Sequence, residues 1–134
     1  MIDFENMAFL KLHPVTDSRL TGQVTPLLCP GERIVQQYQG IRDGIVFTDR
    51  RIIAVNIQGI TGKKKSFVTL PYGRIQAYSI ESAGVMDFDS EMKLWFSGLG
   101  MVTFELIAGS DIMSLAQLIG NAILTQDAES RPSC

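Results

Sequence analysis

"GIVFTDRRIIAVNI", residues 44–57, contains two apolar runs on either side of the dipeptide Asp49-Arg50. Asp tolerates the left-handed backbone that tight turns require, so the stretch predicts a β-hairpin with a two-residue loop. In that register Phe47 lies opposite Ile52, and Thr48 lies opposite Arg51. The centre of the chain is therefore predicted to be an antiparallel pair of strands.

Both faces of this hairpin are apolar. Directly opposed residues share a face of the sheet. One face carries Ile45, Phe47, Ile52 and Ala54, and the other carries Val46, Ile53, Val55 and Ile57. An antiparallel sheet with one wet face alternates apolar and polar residues, so a second apolar face has to be covered. Either the strands belong to a small closed barrel in a different register, or the second face lies in a subunit interface; we favour the interface.

The rest of the chain contains more strands and then a helix. Apolar runs such as "SFVTL", "RIQAYSIES", "MKLWFS" and "MVTFELI" are separated by turn residues, which is typical of all-β proteins. Over residues 111–126 the apolar positions instead recur at i, i+3, i+4 and i+7, which predicts an amphipathic helix, with Ser110 or Asp111 able to cap it. The order predicts a mainly β fold of about six or seven antiparallel strands closed by one C-terminal helix, and it excludes alternating βαβ folds.

The two ends of the chain are less clearly patterned. Residues 1–27 form an N-terminal segment in which "TDSRLTGQVTPLL" can contain a short helix capped by Thr16 or Asp17. Residues 28–126 form the predicted domain, and the polar residues 127–134 are expected to be a disordered tail.

Composition limits the class of protein. A chain of 134 residues suits one domain, and its net charge of −2 argues against nucleic acid as a partner. Cys29 and Cys134 lie far apart in sequence, which favours two free thiols over a disulfide. The N-terminus lacks the pattern of a signal peptide, and no apolar run approaches the roughly 18 residues of a membrane span, so we expect a cytoplasmic protein.

The ordered set of motifs resembles the bacterial pleckstrin-homology-like domain family, whose members are small single-domain proteins. The resembling stretches are Gly31-Glu32, "RDGIVFTDRRIIAV" (42–55), "QGITGKKKSFVTLPYGRI" (58–75) and "SIESAGVMDFDSEMKLWFSG" (79–98). The resemblance implies a barrel of two orthogonal antiparallel sheets capped by one C-terminal helix, and it implies ring-like homo-oligomers. It implies no agreed ligand, and a fold alone does not supply one.

The stretch "GITGKKK", residues 59–65, raises the question of anion binding. It is not a P-loop, because Lys64 stands where Ser or Thr is needed and a strand follows instead of a helix. A candidate patch for anionic lipid headgroups or another phosphorylated ligand consists of Lys63, Lys64, Lys65, Arg74, Arg50 and Arg51. Each basic residue near an anionic membrane contributes about 1 kcal/mol. The alternative, which we favour, is that the lysines only solvate a turn and protect a sheet edge.

Little in the sequence points to catalysis. The acidic spacing of "DFDSE" starts like a calcium loop, but Met92 and Gly98 occupy the positions where that loop needs Gly and Glu. His13 is the single histidine, and no G-x-S-x-G motif is present. We therefore expect no enzyme, no metal site and no cofactor.

The sequence interpretation is a non-catalytic module that self-associates, does not bind nucleic acid because its net charge is negative, and acts as a scaffold or partner-binding domain. Its candidate interface residues are Trp95, Phe47 and Ile52, where Trp95 lies on the opposite strand face from Leu94 and Phe96. Interfaces favour Trp, Met and Phe. Its partners would be further copies of itself in a ring, and other proteins. The alternative function is weak binding of anionic lipid or a phosphorylated ligand through the basic loop.

Overall fold

Two antiparallel sheets form the framework of the computed structural model, which describes Phe9 and residues 11–58, 64–82, 90–107 and 112–130. The first sheet has the order β1 (His13–Val15), β2 (Ile34–Gln39), β3 (Asp43–Thr48), β4 (Arg51–Gln58) and β5 (Lys64–Pro71). The second has the order β6 (Ile75–Ser82), β7 (Ser90–Phe96) and β8 (Gly100–Leu106). The helices are α1 (Arg19–Val24) and the C-terminal α2 (Ile112–Ser130), and short 3-10 turns cover Thr25–Leu27 and Tyr72–Arg74. The predicted mainly β fold with a closing C-terminal helix is confirmed.

The β3–β4 hairpin has the predicted register, with Phe47 opposite Ile52. Its turn is closed differently from the prediction. Among non-glycine residues described, positive φ occurs at Phe9 and Lys11, so Asp49 is not left-handed. Instead the Oγ1 of Thr48 accepts the backbone N–H groups of Arg50 at 3.1 Å and Arg51 at 2.9 Å. A threonine hydroxyl bonded to the backbone thus fixes the turn.

The main core lies between the two sheets and beneath α2. The β3–β4 hairpin contributes Ile45, Phe47, Ile52 and Ala54, and the inner faces of β7 and β8 contribute Met92, Leu94, Phe96, Val102, Phe104 and Leu106. From α2, Leu115, Ile119 and Ala122 complete it. The helix stripe predicted from the sequence is therefore the buried stripe. The helix continues to Ser130, however, so residues 127–130 of the expected tail are helical.

A second core explains the other apolar face of the hairpin. Val46, Ile53 and Val55 pack against Leu20 and Val24 of α1, with Leu28 and Ile34 at the margin. The prediction that this face lies in a subunit interface is wrong, because a helix of the same chain covers it. The sequence did not predict this contact between α1 and the hairpin, because α1 has only two buried residues, four positions apart.

The short helix expected within residues 1–27 corresponds to α1, which is held by its first turn. Ser18, not Thr16 or Asp17, is the N-cap: its Oγ accepts the N–H of Leu20 at 3.2 Å, and Thr21 Oγ1 accepts the N–H of Ser18 at 3.0 Å. Such reciprocal bonds satisfy donors that a helix start otherwise leaves unpaired. Gly44 of β3 permits close approach, since a Cβ there would lie 2.9 Å from Leu20 Cδ2.

The residues before α1 join the two sheets. Phe9 and Leu12 are fully buried, and the N–H of Leu12 donates to the carbonyl of Glu105 on β8 at 2.9 Å. The N–H of Phe9 donates to the Asp43 carboxylate at 2.6 Å. Burial raises the pKa of the Asp43 carboxyl group despite this hydrogen bond. The chain then continues as β1, which pairs with β2. Phe9 and residues 11–15 therefore connect the edge of the second sheet to the edge of the first. No helix within the described ranges is long and apolar enough to cross a membrane.

We predict that Leu20→Ala lowers the free energy of unfolding by about 2 to 3 kcal/mol, because it removes a buried side chain from a small core with few ways to relax. Leu27→Ala is the matched control, since Leu27 is 42% exposed and its change should stay within about 0.5 kcal/mol. Urea unfolding followed by circular dichroism measures both. Equal effects of the two variants would contradict the second core.

Candidate functional site

Arg51, predicted to belong to a basic surface patch, instead forms an internal ion pair. Its Nε donates to Glu32 Oε2 at 2.8 Å and its Nη2 donates to Glu32 Oε1 at 2.9 Å, a two-pronged contact. Arg51 also donates to the Thr69 hydroxyl at 2.9 Å and the Leu27 carbonyl at 2.8 Å. The Glu32 side chain is only 1% exposed. The guanidinium is therefore committed to structure, and Arg51 is removed from the candidate anion patch.

Glu32 is saturated with donors. Besides Arg51, its carboxylate accepts the N–H of Cys29 at 2.9 Å and the hydroxyl of Thr48 at 2.7 Å. Two carboxylate oxygens have about four acceptor positions, and all are used here. The bonds from Arg51 outweigh burial and lower the pKa of Glu32 to about 2. Such a group stays ionised and has no free position for a substrate, so it fits a structural role.

Tyr72 extends this network to the chain after β5. Its hydroxyl donates to the Thr48 carbonyl at 2.7 Å, and burial raises the pKa of this phenol. The network of Glu32, Thr48, Arg51 and Tyr72 therefore ties together three connections: the turn before β2, the β3–β4 turn and the 3-10 turn after β5.

The remaining predicted basic residues do not form one patch. Lys64 and Lys65 are exposed at the start of β5, while Arg74 follows the end of that strand. Arg50 lies in the β3–β4 turn, beside the position where Arg51 pairs with Pro71. At about 3.3 Å per residue, the two ends of β5 are separated by roughly 20 Å. Lys63 and residues 59–62 lie outside the described residues, so the structure places Lys64 and Lys65 next to each other at the start of β5, and Arg50 and Arg74 toward its other end.

Two of the three predicted interface residues are internal. Phe47 and Ile52 are 0% exposed and belong to the main core, so neither side chain can contact another subunit. The prediction failed because their face of the hairpin packs against the second sheet and α2, while α1 covers the other face. Trp95 differs: it lies half-buried on the outer face of β7, opposite in direction to the buried Leu94 and Phe96.

Trp95 lies in an apolar row across the second sheet. It pairs with Ala77 on β6 and with Met101 on β8. Ala77 is exposed, and Met101 is 45% exposed. We call Ala77, Trp95 and Met101 the Trp95 row. The pairing of Met101 follows from the β7–β8 hairpin register around the "GLG" turn, so the sequence held a signal for it.

The same outer face becomes acidic away from this row. Glu91 pairs with Glu81 and with Glu105, and we call these three residues the acidic row. Lys93 lies between the two rows, with its Nζ 3.0 Å from Glu81 Oε2 and 3.8 Å from Glu91 Oε2. The bond to Glu81 raises the pKa of Lys93. The face thus combines an apolar end with an end of net negative charge.

A second exposed apolar residue was missed by the sequence interpretation. Phe67 on β5 pairs with Val55 and is 38% exposed. Lys65, two residues earlier, lies on the same face of the strand. The signal was the alternation of "SFVTL", in which the buried Leu70 and the partly buried Val68 direct Phe67 outward.

The residues for which the sequence analysis rejected a catalytic, metal-binding or disulfide role are placed as follows. His13 is exposed on β1 opposite Gln39, and Cys29 is exposed in the turn before β2. Asp87, Asp89 and Cys134 lie outside the described residues. Within the described ranges, no group of three or more His, Cys, Asp or Glu side chains is placed to hold a metal ion.

We predict that the Glu32 ion pair makes stability fall in acid. Because the pKa of Glu32 is lowered from 4.5 to about 2 on folding, its contribution is complete above about pH 4.5 and is lost as the pH falls toward 2. The loss should approach roughly 3 kcal/mol in wild type, and Glu32→Gln should flatten the profile over this range. Glu91→Gln, at a half-exposed position, is the control and should keep the wild-type profile. Urea unfolding between pH 2 and 6 measures the free energy of unfolding of each protein. Parallel profiles for wild type and Glu32→Gln would refute the role assigned to the Glu32 ion pair.

Comparisons with known proteins agree with this geometry. A family model described as "Bacterial PH domain" matches residues 3–123, so the match includes most of the segment 1–27 that the sequence analysis set apart. Uncharacterized protein YozO of Bacillus subtilis is 34% identical over 105 residues, which cover 78% of this chain and 86% of YozO. Uncharacterized protein YjqA of the same organism is 47% identical over 76 residues, 57% of this chain and 61% of YjqA, so the match spans about three fifths of that relative.

Among solved structures, the chain is similar to a DUF1696 family protein with a pleckstrin-homology domain from Shewanella loihica. The TM-score is 0.74 at 35% identity, and the alignment covers 85% of this chain and 98% of the other. The resemblance inferred from sequence is confirmed. With two antiparallel sheets, a closing C-terminal helix and a family match along most of its length, the chain belongs to the bacterial PH domain family.

Proposed function

We propose that this chain is a non-catalytic module that self-associates through the Trp95 row and serves as a scaffold for partner proteins. The observation that carries the proposal is an apolar row on a sheet face that solvent reaches. Trp95 is half-buried, Ala77 is exposed and Met101 is 45% exposed. Tryptophan and methionine are enriched at interfaces, and tryptophan is among the residues that contribute most to binding energy.

A cyclic assembly suits this surface better than an open chain. Head-to-tail contacts that close on themselves leave no unsatisfied surface, whereas contacts that do not close grow into fibres. The ring habit implied by the family resemblance supports the closed form. A ring would also repeat any surface of the subunit around its axis, which gives a scaffold several equivalent positions for partners.

The polar groups support a role in binding over one in catalysis. The pKa values of Glu32, Arg51 and Tyr72 are all perturbed. Glu32 and Arg51 bond to each other, and Tyr72 bonds to the Thr48 carbonyl in the turn that carries Arg51. Perturbed groups mark catalytic sites only probabilistically, because structural ion pairs perturb pKa values as well. Here the structural explanation accounts for each of the three.

We predict that the wild-type protein at micromolar concentration has a mass in light scattering several times the 14.8 kDa of one chain, and that Trp95→Ala shifts it toward that value. The reason is the loss of a large apolar side chain from the contact. Met113→Ala is the matched control, because Met113 is 74% exposed on α2 and is not part of the Trp95 row. A wild-type mass near 14.8 kDa would exclude self-association.

A second candidate function is binding to anionic lipid, favoured by the exposure of Lys64 and Lys65 next to Phe67. At about 1 kcal/mol per basic residue, Lys64→Gln with Lys65→Gln should weaken sedimentation with phosphatidylserine vesicles by roughly 30-fold. Arg74→Gln, at the far end of β5, is the control. Equal sedimentation with phosphatidylserine and with neutral phosphatidylcholine vesicles, or none with either, would exclude this function.

A further inference from the structure

An open pocket on the outer face of the first sheet is lined by residues that belong neither to the Glu32 network nor to the Trp95 row. It lies between α1 and the end of the β3–β4 hairpin that is opposite its turn, where Gly44 pairs with Val55. It encloses about 210 Å³, part of it open to solvent. Because a water molecule in the liquid takes up about 30 Å³, the pocket has room for a molecule of about seven non-hydrogen atoms.

The floor of this pocket is apolar. Leu20 and Val55 belong to the second core, and the half-buried Ile57 completes the floor. Gly44 allows Leu20 to lie directly against β3, since a Cβ at Gly44 would be 2.9 Å from Leu20 Cδ2. Ligand pockets are mostly apolar, and they bind the hydrocarbon part of a ligand by removing it from water.

Three polar side chains of the pocket wall have no partner within the described chain. Arg19 and Gln23 lie on the same side of α1, four residues apart, and Gln39 ends β2. Among the described residues, none of these three side chains forms an ion pair or a hydrogen bond. The wall therefore provides one guanidinium and two amides whose hydrogen-bonding capacity is available to a ligand.

The charge of the wall favours a ligand with one negative charge. Arg42 and Asp43 also line the pocket, and they carry opposite charges. The Asp43 carboxylate accepts the N–H of Phe9 within the chain. The positive charge of Arg19 is therefore in excess, and one carboxylate balances it. A guanidinium binds a carboxylate through two parallel hydrogen bonds, and amide NH2 groups can donate to the remaining lone pairs.

The backbone that carries Arg19 is fixed before any ligand binds. Ser18 caps α1 immediately before it, and the Thr21 hydroxyl donates to Gln37 Oε1 on β2 at 2.8 Å. The next residue, Leu20, is buried in the second core. The first turn of α1 is thus tied to the sheet that forms the floor, and a site that is already ordered loses less free energy on binding.

We propose that this pocket binds a small, free aliphatic carboxylate, with its alkyl group on the apolar floor and its carboxylate bound by the Arg19 guanidinium and the two glutamine amides. The branched acid isovalerate has the size and the two parts that the pocket requires. The pocket shares no residue with the Trp95 row or with Lys64 and Lys65. The inference therefore goes beyond both functions proposed above and depends on neither.

Titration of the isotope-labelled full chain with isovalerate, followed by NMR at constant ionic strength, tests the site. The side-chain amides of Gln23 and Gln39 and the backbone amides of Gly44 and Ile57 should shift along one saturating curve, with a Kd of about 1 to 10 mM for so small a ligand. Isovaleramide, which has no charge, and acetate, which lacks the branched alkyl group, should each bind about tenfold more weakly. Shifts that do not saturate, that lie outside the pocket, or that are equal for the three compounds overturn the proposal.

Variants locate the binding. Arg19→Gln should raise the Kd for isovalerate about tenfold, because it removes the charge-assisted hydrogen bonds. Ile57→Ala, which removes part of the floor, should raise it about fivefold. Arg74→Gln is the matched control for Arg19→Gln, since it removes the same charge from an exposed residue that does not line the pocket, and its Kd should equal that of wild type.

Trp95→Ala separates this site from self-association. It should bind isovalerate as wild type does, whatever the mass of its assembly. With every variant shown to be folded by circular dichroism, an unchanged Kd for Arg19→Gln overturns the proposal. An equal rise for Arg19→Gln and Arg74→Gln, or loss of binding in Trp95→Ala, overturns it as well.

Discussion

The two-pronged bond between Arg51 and Glu32 is the contact on which the arrangement of the first sheet depends. It spans 19 residues and lies where the turn before β2, the β3–β4 turn and the end of β5 come together. Breaking one partner of a buried ion pair leaves the other charge without compensation, which is strongly destabilising. Here the arginine also bonds the Leu27 carbonyl, so it fixes the 3-10 turn that follows α1. The pair thus positions the helix that covers the second core.

This placement of α1 changes which surfaces are available to partners. The outer face of the β3–β4 hairpin is used within the chain, and the exposed apolar side chains lie elsewhere, among them Phe67 on β5, Met101 on β8 and Met113 on α2. Contacts with other molecules therefore cannot use the outer face of its most hydrophobic strands. Those strands, buried on both faces, would be an aggregation hazard if α1 were not docked.

Sequence patterns predicted the features that depend on short-range spacing. The register of the β3–β4 hairpin, the outward direction of Trp95 and the buried stripe of α2 all follow from periods of two or 3.6 residues. Features that depend on distant partners were missed. Arg51 was assigned to a surface patch because nothing local shows that Glu32 lies beside it. Phe47 and Ile52 were assigned to an interface because nothing local shows which face of the hairpin the second sheet and α2 cover, and the six-residue α1 gave too weak a signal to be placed over the other face.

The N-terminal connection between the sheets constrains the order in which the chain can fold. Phe9 and Leu12 bond to Glu105 and Ile107, whose codons are translated nearly last among the described strands. During synthesis from the N-terminus the buried Phe9 ring has no Phe104 to pack against until that strand has left the ribosome. Phe9 and Leu12, although made before every described strand, are therefore among the last residues to be fixed in place.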